Sequence, residues 1–329
     1  MHRLSQVAKS PPVCQPAPAT RNVRARAATV ERKSERQPRP ENVEGSFYVD
    51  HTCIDCDTCR WMAPETFKRV GNKTAVTDQP EGAQGRHRAF QALLTCPTFS
   101  IHCTDKSPGE LRSAAESFPT PVEGSSHAYH TGYSSENSYG GTSYLLVREG
   151  GNVLVDSPRF DPKLLKQIQS MGGAKYIFLT HRDDVADHVK WAEALACDRI
   201  IHRDEANSSQ QTNKCEIQLT GEGPWKLPDG GEDVSIVHTP GHTSGHIVLY
   251  YHPEQVLFSG DHLMFRSSGE MSIARYYNWY SVDKQLESVA AMGDMDVKIL
   301  LPGHGRRGTF SDSADRDAKI ADVMAREGH

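Results

Sequence analysis

Apolar and polar positions along the chain fall into short blocks. Tyr176-Ile177-Phe178-Leu179 is a continuous apolar run, the pattern of a strand buried on both faces. It stops abruptly at Thr180-His181-Arg182-Asp183-Asp184-Val185-Ala186-Asp187-His188, where two histidines and three aspartates crowd together. Strands are predicted over 142–147 and 152–156, joined by the turn signal Arg148-Glu149-Gly150-Gly151. Leu164, Leu165, Ile168 and Met171 recur at helical spacing, so 162–171 is predicted as a helix closed by Gly172-Gly173. A helix over 187–196, a strand over 199–202, short strands up to Tyr251 and helices near 281–292 and 312–326 follow. Nearer the N-terminus, a helix over 86–95 is stopped by Pro97.

Cysteine placement marks off a unit spanning 46–106. Cys53, Cys56 and Cys59 recur every third residue in a polar loop, and Cys96-Pro97 lies far downstream. That is the spacing of a ferredoxin cluster loop, in which three thiolates wrap one side and the fourth closes from the far side of a small fold. A zinc framework would more often pair two Cys-x-x-Cys units. The turn Ala63-Pro64-Glu65-Thr66-Phe67 also resembles single-cluster ferredoxins, where it leads into a hairpin. Cys53, Cys56, Cys59 and Cys96 are therefore expected to hold an iron–sulfur cluster, 4Fe-4S given four thiolates. Cys14, Cys103, Cys197 and Cys215 are expected to be spare thiols.

Three further clusters echo the one at His181. They are Thr239-Pro240-Gly241-His242-Thr243-Ser244-Gly245-His246, Phe258-Ser259-Gly260-Asp261-His262 and Leu301-Pro302-Gly303-His304-Gly305, each after an apolar segment. Strand ends are where α/β proteins gather ligands, and imidazole with carboxylate suits zinc, iron and manganese. In this order the clusters, over about 127–310, resemble the metallo-β-lactamase superfamily. The resemblance implies an αββα sandwich, here preceded by a small α+β ferredoxin-like domain. It implies metal ligands at His181, Asp183, Asp187, His188, His242, Asp261 and His304. One metal would take His181, Asp183 and His242, the other Asp187, His188 and His304, with Asp261 bridging. His246 and His262 would support the ligands from behind.

Two departures stand out. Asp183 (or Asp184 as the fallback) occupies a position that is usually His, and two extra residues precede Asp187-His188. Two histidines and a terminal carboxylate per metal is a set associated with non-haem iron, which moves the expectation from zinc towards iron or manganese.

Charge divides the chain further. Residues 1–40 hold nine Lys/Arg and two Asp/Glu, whereas the chain as a whole carries net −5. The basic, Ser- and Pro-rich segment 1–40 reads as a disordered transit peptide, and Val23-Arg24-Ala25-Arg26-Ala27-Ala28 resembles a plastid processing site. The expected location is the chloroplast stroma. The acidic remainder argues against nucleic acid as a direct partner, and no apolar run approaches membrane-spanning length. Residues 107–126 are rich in Pro, Ser and Glu and read as a linker to a second domain over 127–329.

Function at this stage has three readings. The first is a metal-dependent hydrolase of a small-molecule thioester or other ester, with Asp187 orienting the nucleophile; the run Thr239 to His246 resembles glyoxalase II, a thioester hydrolase. The second is a diiron oxidoreductase fed by the ferredoxin unit, with an electron donor or acceptor protein as partner. Flavodiiron reductases, which it resembles in this respect, also place a carboxylate at the second ligand. The third is a non-enzymatic redox sensor.

Overall fold

The structure, a computed structural model, describes residues 36–328. The expected transit segment 1–40 lies outside the described residues except for its last five positions. The first elements belong to the cysteine-bearing unit. Strand β1 (Phe47–Val49) is followed by helix α1 (Thr58–Met62), then the hairpin β2 (Phe67–Val70) and β3 (Lys73–Val76), helix α2 (Gly82–Thr95) and strand β4 (Ile101–Cys103). β1 and β4 pair antiparallel, with Phe47 opposite Cys103. The apolar residues Phe47, Val49, Phe67, Val76, Phe90 and Ile101 pack into one cluster. The Cys103 thiol is buried there and donates to Asp105 Oδ1 at 3.0 Å.

The stretch expected as a linker holds regular structure. Helix α3 (Pro108–Glu116) starts at a capping box in which the Ser107 hydroxyl accepts from the Glu110 N–H and the Glu110 carboxylate accepts from the Ser107 N–H. Strand β5 (Thr120–Pro121) then joins the edge of a seven-stranded sheet. That sheet continues through β6 (Ala128–His130), β7 (Tyr144–Leu146) and β8 (Val153–Val155). After helix α4 (Pro162–Ser170) comes β9 (Tyr176–Phe178); after helix α5 (His188–Leu195) come β10 (Asp198–His202) and β11 (Ile217–Leu219). β5 to β8 run antiparallel, and β8 to β11 are parallel.

The second sheet is built from β12 (Val234–His238), β13 (Ile247–Tyr251), β14 (Val256–Gly260), the hairpin β15 (Met264–Phe265) and β16 (Met271–Ser272) standing apart, helix α6 (Val282–Ala291), β17 (Ile299–Pro302), β18 (Gly308–Thr309) and helix α7 (Ser313–Glu327). Its order is β12-β13-β14-β17-β18, with β14 and β17 parallel.

Alternation along the strands shows how the layers stack. Tyr144, Leu146, Val153, Val155 and Phe178 face Ile247, Leu249, Val256, Phe258 and Leu301 in one central core. The intervening Leu145, Leu154 and Ile177 point outward onto Leu164 and Ile168 of α4 and Trp191 of α5. Val248, Leu257 and Leu300 point the other way onto Leu286 and Val289 of α6 and Val323 of α7. Both faces of both sheets are buried, which is why the strands read as unbroken apolar runs. The result is an αββα sandwich preceded by the small α+β unit.

Pro38–His329 form one compact unit, so the two modules share an interface. Arg159 donates to Leu94 O at 2.9 Å and Cys96 O at 3.4 Å, the Arg307 guanidinium stacks over Trp61 at 4.4 Å, and Arg306 forks onto Asp57 at 2.7 and 3.2 Å. Among the described residues no helix is long and apolar enough to cross a membrane.

Candidate metal centre

Four chain segments deliver polar side chains to one end of the sandwich. β9 runs into Thr180-His181, β12 into the loop carrying His242 and His246, β14 into Asp261, and β17 into Gly303-His304. A register shift between Phe258 and Gly260 in β14 turns Asp261 towards the centre, a usual effect of a bulge beside a functional site. Gly260 (φ +51°) is needed there: a Cβ would lie 2.7 Å from both His246 Nε2 and Thr180 Oγ1.

Two triads share Asp261. His181, His242 and Asp261 bring ligand atoms within 4.8 Å of one another, and so do Asp184, Asp261 and His304. Asp261 Oδ2 lies 3.9 Å from His181 Nε2 and 3.8 Å from His242 Nε2, and Asp183 Oδ2 lies 4.0 Å from the latter. Metal–ligand bonds of about 2.0–2.2 Å place ligands on one ion at about this separation. The fit is also visible in what is left unpartnered. His181 Nε2, both nitrogens of His242, both oxygens of Asp184 and His304 Nε2 are buried without a hydrogen-bond partner. Buried polar atoms rarely stand so; this donor set fits a cation pair.

Supporting contacts orient the ligands. The Thr180 hydroxyl donates to the Asp156 carboxylate at 3.0 Å and accepts from His181 Nδ1 at 2.9 Å, which leaves His181 Nε2 bare and aimed into the centre. His246 Nε2 accepts the Asp261 N–H at 3.3 Å, and its Nδ1 pairs with the Thr239 hydroxyl at 2.9 Å. His246 thus contacts the Asp261 backbone, as an acceptor. His262 does not: it is fully buried and packs against His246, but both ring nitrogens lack partners and neither reaches a ligand.

The electrostatics are those of a cation site. Burial pushes the Asp156 carboxyl up to about 7, with the nearby Asp261 charge adding to it. Burial likewise raises Asp184 well above the carboxylate range. Burial and the neighbouring His242 lower His181 to about 3. At His304 burial acts downward, but the Asp261 and Asp184 carboxylates win and raise it to about 10.

Asp187 and His188 are a correction. Asp187 Oδ2 accepts the Phe160 N–H at 2.8 Å, and Oδ1 pairs with Lys190 at 2.7 Å. His188 Nε2 donates to Gln210 O at 2.9 Å, and its Nδ1 accepts from Arg199 at 3.3 Å. All four polar atoms are engaged elsewhere, and neither residue joins either triad. Asp184 takes the place in the second triad assigned to that pair. His181, Asp183, His242, Asp261 and His304 are brought together. Asp156 went unnoticed in the sequence; its one signal is a charged residue closing an apolar strand, where it adopts φ +55°.

Cys53, Cys56, Cys59 and Cys96 converge on one pocket walled by Val49, Ile54, Pro97 and Ile101. The N–H groups of Asp55 and Ser100 point at Cys53 Sγ and Cys96 Sγ at 3.5 and 3.3 Å, contacts of the kind that tune a cluster. Burial drives the Cys56 thiol up to about 11, with Cys96 adding to it, and raises Cys59 and Cys96 in the same direction. Four cysteines lining one pocket fit an iron–sulfur cluster.

A strip of backbone joins the two places. An added Cβ at Gly140 would meet Cys56 Cβ at 2.7 Å, and one at Gly141 would meet both Asp184 oxygens at 2.8 Å. With adjacent Cα atoms 3.8 Å apart, Cys56 and the Asp184 carboxylate are separated by about 13 Å at most. Ile54, Cys56 and Asp57 line the same cavity as Asp183, His242, Asp261 and His304.

Comparison with known proteins agrees with this division. Residues 49–103 match the 4Fe-4S single cluster domain of Ferredoxin I, and residues 216–304 match the metallo-beta-lactamase superfamily. A beta-lactamase-like protein 2 homolog of Drosophila melanogaster is 39% identical over 50% of this chain and 59% of its own length. The probable metallo-hydrolase YybB of Bacillus subtilis is 25% identical over 49% of this chain and 79% of its own. A hydroxyacylglutathione hydrolase of Pelagibacter ubique is 26% identical over 42% of this chain and 58% of its own. The chain therefore spans under two thirds of the length of two of these three. The DIM-1 metallo-beta-lactamase structure is 19% identical, with a TM-score of 0.47, over 60% of this chain and 92% of that one. Two stretches of this chain thus match known families, residues 49–103 a single-cluster ferredoxin domain and residues 216–304 the metallo-beta-lactamase superfamily.

Proposed function

We propose that the protein is a metal-dependent hydrolase of a small-molecule ester or thioester. The observation that carries this is the convergence of His181, His242, Asp261, Asp184 and His304, with His181 Nε2, both His242 nitrogens and both Asp184 oxygens unpartnered. Similarity to hydroxyacylglutathione hydrolases supports the substrate class. His181, His242 and Asp183 would hold one divalent ion, Asp184 and His304 the other, with Asp261 between them. Three imidazoles with three carboxylates tilt the choice towards iron or manganese over zinc. Bound there, such ions polarise a carbonyl and supply a nucleophile at neutral pH.

The chain's own residues set up the rest. Asp156 and Thr180 fix the His181 ring, and His246 fixes the Asp261 backbone. Asp183 opens onto the cavity, and burial raises its carboxyl above the usual range. The test is turnover of a panel of esters and thioesters by protein loaded in turn with Fe(II), Mn(II) and Zn(II). Hydrolysis lost in His242→Ala and Asp261→Asn supports the reading; no hydrolysis with any metal sinks it.

A second reading, a diiron oxidoreductase taking electrons from the ferredoxin module, is favoured by the Cys56–Gly140–Gly141–Asp184 contact strip. A donor protein would then reduce the cluster. Oxidant-dependent reoxidation of the reduced cluster that requires metal in the second centre would support it.

A further inference from the structure

The cavity above the metal centre has walls that the catalytic reading leaves unused. It encloses roughly 870 Å³, within the range of small-molecule sites. Asp183, His242, Asp261 and His304 form part of its lining. Tyr276, Tyr277 and Trp279 line it too, with 96%, 68% and 62% of their surfaces exposed. Packing does not account for rings this open.

Their backbone, by contrast, is tied to the ligand loop. The Trp279 N–H donates to His242 O at 2.8 Å, and the Asn278 side chain donates to Gly241 O at 2.9 Å and to Gln285 Oε1 at 2.8 Å. The segment is anchored to the metal-ligand loop while its rings are left without packing.

The ferredoxin module adds an apolar contact of its own. Ile54 sits between two cluster cysteines in an otherwise acidic turn, is 43% exposed and lines the same cavity. Ile54 walls the cysteine pocket on one side and faces this cavity on the other. Anchored rings and an aliphatic side chain beside a catalytic centre are the means of holding a flat apolar group.

We propose that the two modules build one substrate site, in which Ile54 of the cluster turn and the rings of Trp279 and Tyr276 hold a flat, aromatic acyl group of the ester or thioester. This rests on the hydrolase reading for the chemistry but not for the binding. Stacking on an aromatic ring favours a flat π-system over an aliphatic chain of similar size by about two- to tenfold.

The experiment is equilibrium binding, without turnover, of 2-naphthoate and octanoate to the full-length protein with cluster and metals in place. Naphthoate is expected to bind about two- to tenfold tighter. Trp279→Leu should abolish that preference, and Ile54→Ser should weaken both ligands several-fold when affinity is measured on the cluster-loaded fraction. Tyr276→Ser, at a ring that is almost wholly exposed, gives an independent check should the tryptophan variant fold poorly. Equal affinities in the parent protein, or a preference that survives both aromatic substitutions, overturn the proposal. So does unchanged binding in Ile54→Ser. Selective naphthoate binding without hydrolysis of any ester would uphold this site and reject the hydrolase reading. Hydrolysis of acetyl and naphthoyl thioesters with equal kcat/KM would do the reverse.

Discussion

Arg306 and Asp57 join the two modules through a single forked contact. Arg306 stands two residues after the metal-centre residue His304, and Asp57 lies between the cluster cysteines Cys56 and Cys59. The guanidinium donates to both carboxylate oxygens at 2.7 and 3.2 Å, and Arg60 pairs with the same carboxylate from behind. The geometry is bidentate and half-buried, so it exceeds an ordinary surface pair.

Burial opposes ionisation of Asp57, but Arg306 and Arg60 together hold its carboxyl below the usual range. A carboxyl depressed in the folded state stabilises above its unfolded pKa and loses that contribution as pH falls through the folded value. Arg306→Ala should therefore cost about 1–2 kcal/mol at pH 7 and less at pH 3. Denaturant unfolding at the two pH values checks this; an equal cost at both rejects it.

Asp187 and His188 separate the two ligand assignments. Asp187→Asn and His188→Ala should leave metal stoichiometry intact, because all their polar atoms bind elsewhere. His188→Ala should cost about 1–3 kcal/mol by stranding Gln210 O and Arg199. Asp184→Asn and Asp261→Asn should each lose at least one metal per chain. Elemental analysis of the four purified variants decides between the assignments.

The metal-free protein should lose stability as pH rises from 7 to 10. His304 is raised to about 10 in the fold, against the downward pull of burial, by Asp261 and Asp184. Its contribution is complete below the unfolded pKa near 6.5 and disappears as pH climbs through 10. The loss should be about 1–3 kcal/mol, and His304→Gln should flatten the profile. Metal loading should reverse the trend, since ligands bind deprotonated. Melting temperatures with and without chelator provide the measurement.

Gly140 tests the second functional reading. At φ +89° and with Cys56 Cβ 2.7 Å from where its own Cβ would stand, alanine is excluded twice over. Gly140→Ala should force the strip away from the cluster loop and destabilise by about 1–3 kcal/mol. If electrons cross here, reoxidation of the reduced cluster slows at least several-fold while any ester hydrolysis at the metal centre changes less. Stopped-flow reoxidation beside steady-state hydrolysis separates the two effects.

Replacement of Cys53, Cys56, Cys59 or Cys96 by Ser should each abolish the cluster chromophore, because all four thiols line one pocket. Cys103→Ser should keep it, as that thiol donates to Asp105 instead. Visible absorption of anaerobically prepared protein gives the answer.

Much of this architecture is local in origin. Buried strands were legible as apolar runs because both faces of each sheet are covered, and the helix over 162–170 was legible from its apolar spacing. Cys53, Cys56 and Cys59 lie within one loop, so their common role needed no knowledge of the fold. His242, Asp261 and His304 each close a distinct apolar segment, and the resemblance to the metallo-β-lactamase superfamily is what singled them out as candidate ligands.

What the tertiary structure alone decided is which acids of the His181 cluster face inward. Asp183, Asp184 and Asp187 are chemically equal in the sequence. Their directions come from distant anchors: Ser157 N–H to Asp184 O, Ser138 Oγ to Ala186 N–H, and Phe160 N–H to Asp187. These hold the turn open until the helix begins at His188, which swings Asp187 and His188 away and leaves Asp184 beside His304. Side-chain identity is written along the chain, but its direction in a loop depends on backbone contacts made by residues far off in sequence.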